Sequence, residues 1–203
     1  MRVTDLAISQ DSSKLVVVGM RPLPFPPVDH AGRLASSDPS IEPTSSNTPV
    51  QSMIGNQFVV YDLSSKRLEL SVESEGALTS VRISQDSRYA LLSRVVYPEL
   101  RPVGEVHLCE MSTGRTVHKY TGHTQSRHVI RSGFGGQDEE FIISGCEGGR
   151  VHVWDRNSET PLAVLSGHGS GSVNSVAWNP TDATVFASCS DDHTTRIREV
   201  RST

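Results

Sequence analysis

Apolar and polar residues alternate along this chain in short runs. Leu78, Val81 and Ile83 mark one run, Tyr89 to Leu92 a second, and "GEVHLCE" a third that ends on Glu110, while "TPLAVLSG" (Thr160 to Gly167) shows the form of a fourth. Alternation over so few residues is the signature of half-buried β-strands. The pattern predicts an all-β chain built from groups of four short strands.

The groups repeat. Third strands "QFVVYD", "GEVHLCE", "RVHVWD" and "TTRIRE" close on Asp62, Glu110, Asp155 and Glu199, at intervals of 48, 45 and 44 residues. Glu110 and Asp155 are each followed thirteen residues later by the His of a Gly-His pair, Gly122-His123 and Gly167-His168. "ISQDS" occurs twice, at Ile8 to Ser12 and at Ile83 to Ser87, and "WNPTD" (Trp178 to Asp182) stands at the matching place in the last group. The 75-residue interval between the two "ISQDS" copies is too long for one period; the excess is Met20 to Gly55, whose seven prolines and six serines read as a disordered inserted loop.

A period of about 40 to 45 residues with four strands, Gly-His and Trp-Asp resembles the blades of a WD-repeat β-propeller. The resemblance implies a partial propeller of about four blades, near residues 3–73 (with the insertion at 20–55), 76–120, 123–166 and 168–200. Within these residues the last blade is expected to lack its outer strand. An open array of this kind is expected to expose two lateral sheet faces and a strand edge, and so to be poorly soluble alone.

In that family a His before the first strand joins a Ser on the second, an Asp in the next turn and a Trp on the third. The resemblance assigns His123, Ser144 and Trp154 to the third blade, with Gly148 in place of the acid. It assigns His168, Ser188 and Asp192 to the fourth, with Arg198 in place of the Trp. The second blade has Glu75 for the His and Cys109 for the Trp. Ser, His and Asp also make a hydrolytic triad. Here they recur as a lattice whose copies lose members independently, which predicts a structural relay and no catalytic residues.

Composition narrows the partners. Nineteen basic against 23 acidic residues give a net charge of −4 without a basic block, so nucleic acid is not indicated. No apolar run approaches the roughly 20 residues of a membrane helix, and neither a cofactor, a metal site nor a small-molecule substrate is called for. Cys109, Cys146 and Cys189 lack metal spacing and read as reduced, mostly buried residues of a cytoplasmic or nuclear protein. "SGFGGQ" (Ser132 to Gln137) lacks the order of a phosphate loop and reads as a turn between strands. Binding is expected on loops. "RPLPFPPV" (Arg21 to Val28) could present an extended proline-rich segment, and "RVVYPELRPVG" offers Arg94, Tyr97 and Arg101 as contact residues, with Arg127 a further candidate.

A narrower resemblance runs through "HTQSRHVIRSGFGGQDEEFIISGCEGGRVHVWDRNSETPLAVLSGH" (His123 to His168), "SVNSVAWNP", "FASCSDD" and "RVTDLAISQDS". These stretches resemble the WD-repeat subunits of GID/CTLH ubiquitin ligases. That family implies a non-catalytic scaffold that helps a RING-type ligase assemble and present substrates for proteasomal degradation. Its partners would be other ligase subunits and protein substrates; the helical LisH and CTLH regions of the family lie outside these 203 residues. A generic WD-repeat adaptor of another intracellular complex is the alternative.

Overall fold

Second strands of the repeats carry adjoining apolar residues. Val16, Val17 and Val18 are all buried, as are Ala90, Leu91 and Leu92, and Ile142 with Ile143. Side chains of successive strand residues point to opposite faces, so these sheets must be covered on both sides. The computed structural model, which describes residues 1–22, 54–98, 101–126 and 128–200, shows what covers them.

Four antiparallel sheets follow one another in chain order. Sheet 1 holds β1 (Arg2–Ile8), β2 (Lys14–Pro22), β3 (Ile54–Asp62) and β4 (Arg67–Ser74); sheet 2 holds β5 (Ala77–Ile83), β6 (Tyr89–Val96), β7 (Val103–Glu110) and β8 (Thr116–Tyr120). Sheet 3 holds β9 (Ser132–Gly135), β10 (Phe141–Gly145), β11 (Val151–Asp155) and β12 (Pro161–Leu165). Sheet 4 has three strands among the described residues, β13 (Val173–Trp178), β14 (Val185–Ser190) and β15 (Thr195–Glu199). The all-β class and the antiparallel repeat expected from the sequence are present.

Register carries the period. Asp62, Glu110, Asp155 and Glu199 lie opposite Lys14, Tyr89, Phe141 and Val185, the same ladder position in every sheet. Irregularities recur too: the third strand shifts register between Val60 and Tyr61, between Leu108 and Cys109, and between Val153 and Trp154. Those are equivalent places. Bulges increase local twist, so repeating one at a fixed position twists the outer edge of sheets 1 to 3 at the same place.

The first strands of successive sheets abut. Their equivalent residues Ile8, Ile83, Phe134 and Trp178 all line one cavity of about 610 Å³, so the sheets radiate from a common axis with first strands innermost. Between sheets lie three apolar clusters. Val16, Val18, Phe58 and Val60 pack on Leu78, Val81, Ala90 and Leu92; Leu91, Val106 and Leu108 pack on Ile142 and Trp154; Ile143, Val151 and Val153 pack on Val173, Val176 and Phe186.

Identical sequence gives identical turns. In "ISQDS", Ser9 Oγ donates to Asp11 at 2.6 Å and accepts from Lys14 N at 2.8 Å; Ser84 Oγ donates to Asp86 at 2.6 Å and accepts from Tyr89 N at 2.9 Å. Ser12 and Ser87 share a φ of 58°. Such side-chain closure of a turn is what Ser and Asp do well.

Two expectations are corrected. Ser132 to Gly135 of "SGFGGQ" are the innermost strand of sheet 3, and only Gly136 (φ 81°) and the following 3-10 turn leave it. Glycine is in that strand because Trp178 lies against it: a Cβ on Gly135 would come within 2.1 Å of Trp178 Cε3. The insertion is also shorter at both ends, since the β2–β3 ladder continues through Met20↔Asn56 and Arg21↔Gly55 to Pro22↔Ile54. Most of "RPLPFPPV" and the rest of the loop lie outside the described residues.

Candidate functional site

The residues with the most suggestive chemistry sit where each sheet meets its predecessor's loop. Gly167, with φ at 131°, turns the chain so that His168 enters between sheets 3 and 4. Its ring is wholly buried. His168 Nε2 lies 2.8 Å from Ser188 Oγ, and Nδ1 lies 3.1 Å from Asp192 Oδ2. Asp192 also accepts from the Thr194 hydroxyl at 2.7 Å and from the Gly169 amide at 2.7 Å. These donors, the Thr194 hydroxyl foremost, hold its carboxyl well below the usual carboxylate range. An ionised Asp192 can only accept, so Nδ1 carries the imidazole proton and Nε2 accepts from Ser188.

That is the connectivity of a nucleophile, base and orienter, but Ser188 is completely buried. A carbonyl carbon cannot approach its oxygen. Arg198, at the ladder position held by Trp154 in sheet 3, donates to the Ser166 carbonyl at 2.9 Å. It ties the segment before His168 to β15 in place of an indole.

Sheet 3 differs. His123 is buried, and neither ring nitrogen makes a hydrogen bond of good geometry to a described residue. Ser144 Oγ turns to the Gly145 carbonyl at 3.1 Å, and Trp154 Nε1 donates to the Thr121 carbonyl at 3.1 Å. His123 instead meets Trp154 edge to face, with ring centres 5.6 Å apart, while His152 stacks on the same indole at 5.6 Å. Burial, with His152 adding to it, pushes the His123 pKa down to about 4. The imidazole is packed as a neutral aromatic ring.

Glu147, next to the acid-less Gly148, serves the loop before β9. It accepts from the Ser126 amide at 2.7 Å and from the His128 amide at 3.0 Å. The Asp of Trp-Asp closes the turn after the third strand: Asp155 Oδ1 accepts from Asn157 N at 2.9 Å and Ser158 N at 2.8 Å, as Asp62 Oδ1 accepts from Ser65 N at 2.6 Å.

Of the predicted contact residues, Tyr97 is 61% exposed and Arg101 is exposed beside it. Arg94 is turned into sheet 2, where Nε pairs with Glu105 Oε2 at 3.0 Å. His107 Nε2 shares that oxygen at 2.9 Å and Lys119 takes Oε1 at 2.5 Å. Burial works against the Glu105 carboxylate, yet hydrogen bonds from Lys119 and His107 outweigh it and its pKa falls below the ordinary value. Arg127 lies outside the described residues. Cys109 and Cys146 are buried and Cys189 is exposed.

Sequence reasoning missed a second inter-sheet device. The Arg156 guanidinium lies over Tyr89 of sheet 2 and Phe134 of sheet 3, at 5.3 and 5.2 Å, and pairs with Glu139 at 3.3 Å. Glu139 in turn accepts from the Gln85 amide of sheet 2 at 2.9 Å. Only the adjacency of Arg156 to the repeated Asp155 hinted at it.

Sheets radiating from an axis, tied by a buried His relay and by turn-closing acids, define a WD-repeat propeller. The family model of the WD domain, G-beta repeat, matches residues 114–155 and 159–198. The chain belongs to the WD-repeat proteins, and its repeats form a scaffold. Within that class it is 31% identical over 197 residues, 97% of its length, to GID complex subunit 7 of Schizosaccharomyces pombe, of which it covers 32%. Over 92 residues, 45% of its length, it is 42% identical to the WD repeat-containing protein 26 homolog of Drosophila melanogaster, covering 14% of it. The chain thus spans a third or less of the length of these relatives. Two computationally designed proteins share the fold: Ika4 (TM-score 0.63, 17% identity, 98% of this chain and 91% of that one) and Ika8 (TM-score 0.62, 16% identity, 98% and 46%).

Proposed function

We propose that this chain is a non-catalytic interaction scaffold that supports assembly of a GID/CTLH-type ubiquitin ligase and recruitment of its protein substrates, in the cytoplasm or nucleus. The observation that carries the reading is the similarity to a GID complex subunit along 97% of the chain. The burial of Ser188 and His168 agrees with it, because their chemistry is turned on each other and away from any substrate. Exposed groups able to meet a partner protein gather on the β6–β7 loop, at Tyr97 and Arg101.

The test is affinity capture of the tagged chain from its native cells, with bound proteins identified by mass spectrometry. A RING-type ligase subunit should be retained, and Tyr97→Ala combined with Arg101→Glu should weaken that retention without lowering thermal stability. Capture of another assembly with no RING subunit would overturn the ligase reading in favour of a generic WD-repeat adaptor.

A further inference from the structure

Counting back from the acid that closes each third strand matches place to place in sheets 2 and 3. Three residues before Glu110 stands His107, and three before Asp155 stands His152; five before them are Glu105 and Arg150. In sheet 2 the chain completes this corner itself, because the Glu105 carboxylate lies 2.9 Å from His107 Nε2 and also pairs with Arg94 and Lys119. Sheet 3 keeps the imidazole and loses the acid. Arg150 replaces Glu105, and Val164 replaces Lys119 as the outer-strand neighbour of the imidazole. Gly148 supplies no acid either, although a Cβ there would lie only 3.6 Å from Arg150 Nη2.

The corner therefore holds donors without an acceptor. His152 is 9% exposed, and its contacts are rings: it stacks on Trp154 and stands 6.2 Å from His123 across the boundary with sheet 2. It makes no hydrogen bond among the described residues, and the exposed Arg150 makes no ion pair among them. Glu147, the nearest acid in the chain, is engaged by the Ser126 and His128 amides. Val164, opposite His152 in the ladder, is 48% exposed and adds an apolar shoulder. Sheets 2 and 3 both lie inside the described chain, so this boundary has its two walls in place.

We propose that Arg150 and His152 form a docking site for a carboxylate side chain of a partner protein, with Val164 receiving an apolar residue beside it. The proposal rests on the scaffold reading above and names the chemistry its partner carries. A carboxylate entering here makes with His152 the pair that Glu105 makes with His107, and Arg150 is its second donor. Such charge-assisted bonds are the stronger ones. Burial first, and the Arg150 charge next, hold the His152 pKa below its ordinary value; a bound carboxylate opposes both.

The test follows the His152 ring by NMR in the full chain while N-acetyl-glutamate N-methylamide is added, with the matched glutamine compound as control. The glutamate compound should shift the ring resonances saturably and raise their titration midpoint, and the glutamine compound should do neither. Arg150→Gln should weaken the glutamate response about tenfold. Arg150→Glu, at an exposed site, should leave the circular dichroism spectrum unchanged, raise the His152 midpoint by supplying the acid internally, and abolish the response. Equal responses to the two compounds would overturn the proposal, as would a glutamate response that survives Arg150→Glu or a His152 midpoint that this substitution does not move. Because the probe is a blocked amino acid, its failure strikes the carboxylate site alone, whereas capture without a RING subunit strikes the ligase reading alone.

Discussion

Sheets 3 and 4 start from the same ladder and settle their buried histidines in opposite ways. In sheet 4 the acid is present and the indole is missing: His168 is a polar link between Ser188 and Asp192, with Arg198 filling the vacant aromatic place. In sheet 3 the indole is present and the acid is missing: His123 becomes an apolar ring against Trp154, and Ser144 bonds to backbone. A buried imidazole tolerates either environment because it is both a polar group and a flat ring, but the mixture is not interchangeable. Removing one partner changes the role of the histidine and leaves the others to find new bonds.

The largest break should come from the aromatic side of sheet 3. Trp154 is buried and touches Tyr120, His123 and His152, so Trp154→Ala should cost about 3 to 5 kcal/mol, read from the urea midpoint.

Acid should separate the two sheets next. The folded chain keeps His123 neutral to about pH 4, whereas the unfolded chain takes up the proton near 6.5. Protons therefore favour unfolding. This contribution is intact above about pH 6.5 and is lost as the pH falls through that window towards 4, reaching about 2 kcal/mol at pH 5. His123→Leu should flatten that part of the pH dependence in paired urea titrations.

On the polar side, Ser188→Ala should destabilise by about 1 to 2 kcal/mol, because His168 Nε2 is then buried without its donor. Scanning calorimetry would detect it as a lower Tm. Gly148→Asp would give sheet 3 the acid that sheet 4 has. A Cβ on Gly148 meets nothing nearer than 3.6 Å, so the carboxylate has room, and a gain of about 1 kcal/mol with an upward shift of the His123 pKa is expected. Tyr97→Ala, outside both relays, should change stability by less than about 0.5 kcal/mol.

How much of this was legible depended on what repeats. Alternating runs, the spacing of the closing acids and the two "ISQDS" copies placed the sheets, because strand period and turn chemistry are local properties. The loss of the acid at Gly148 was legible as well, yet the response of Ser144 was not, since its new bond is to the backbone of its neighbour. Arg94 read as a loop contact because charge alone carries no partner. The ladder that sets Tyr89 opposite Glu110 also sets Arg94 opposite Glu105, so counting five residues along both strands exposes the pair. Gly135 in β9 resembled a turn glycine; its reason for being glycine is Trp178, which is 43 residues away. Such a contact has no local signature.

Underlying the account is the claim that the catalytic-looking side chains are sealed between sheets and serve the fold. His123 reports on this through its own proton. Following its ring resonance by NMR as the pH is lowered should give a midpoint at about 4. A midpoint near the ordinary 6.5 would mean that water reaches the ring freely, and would contradict the packing of sheet 2 on sheet 3 described above.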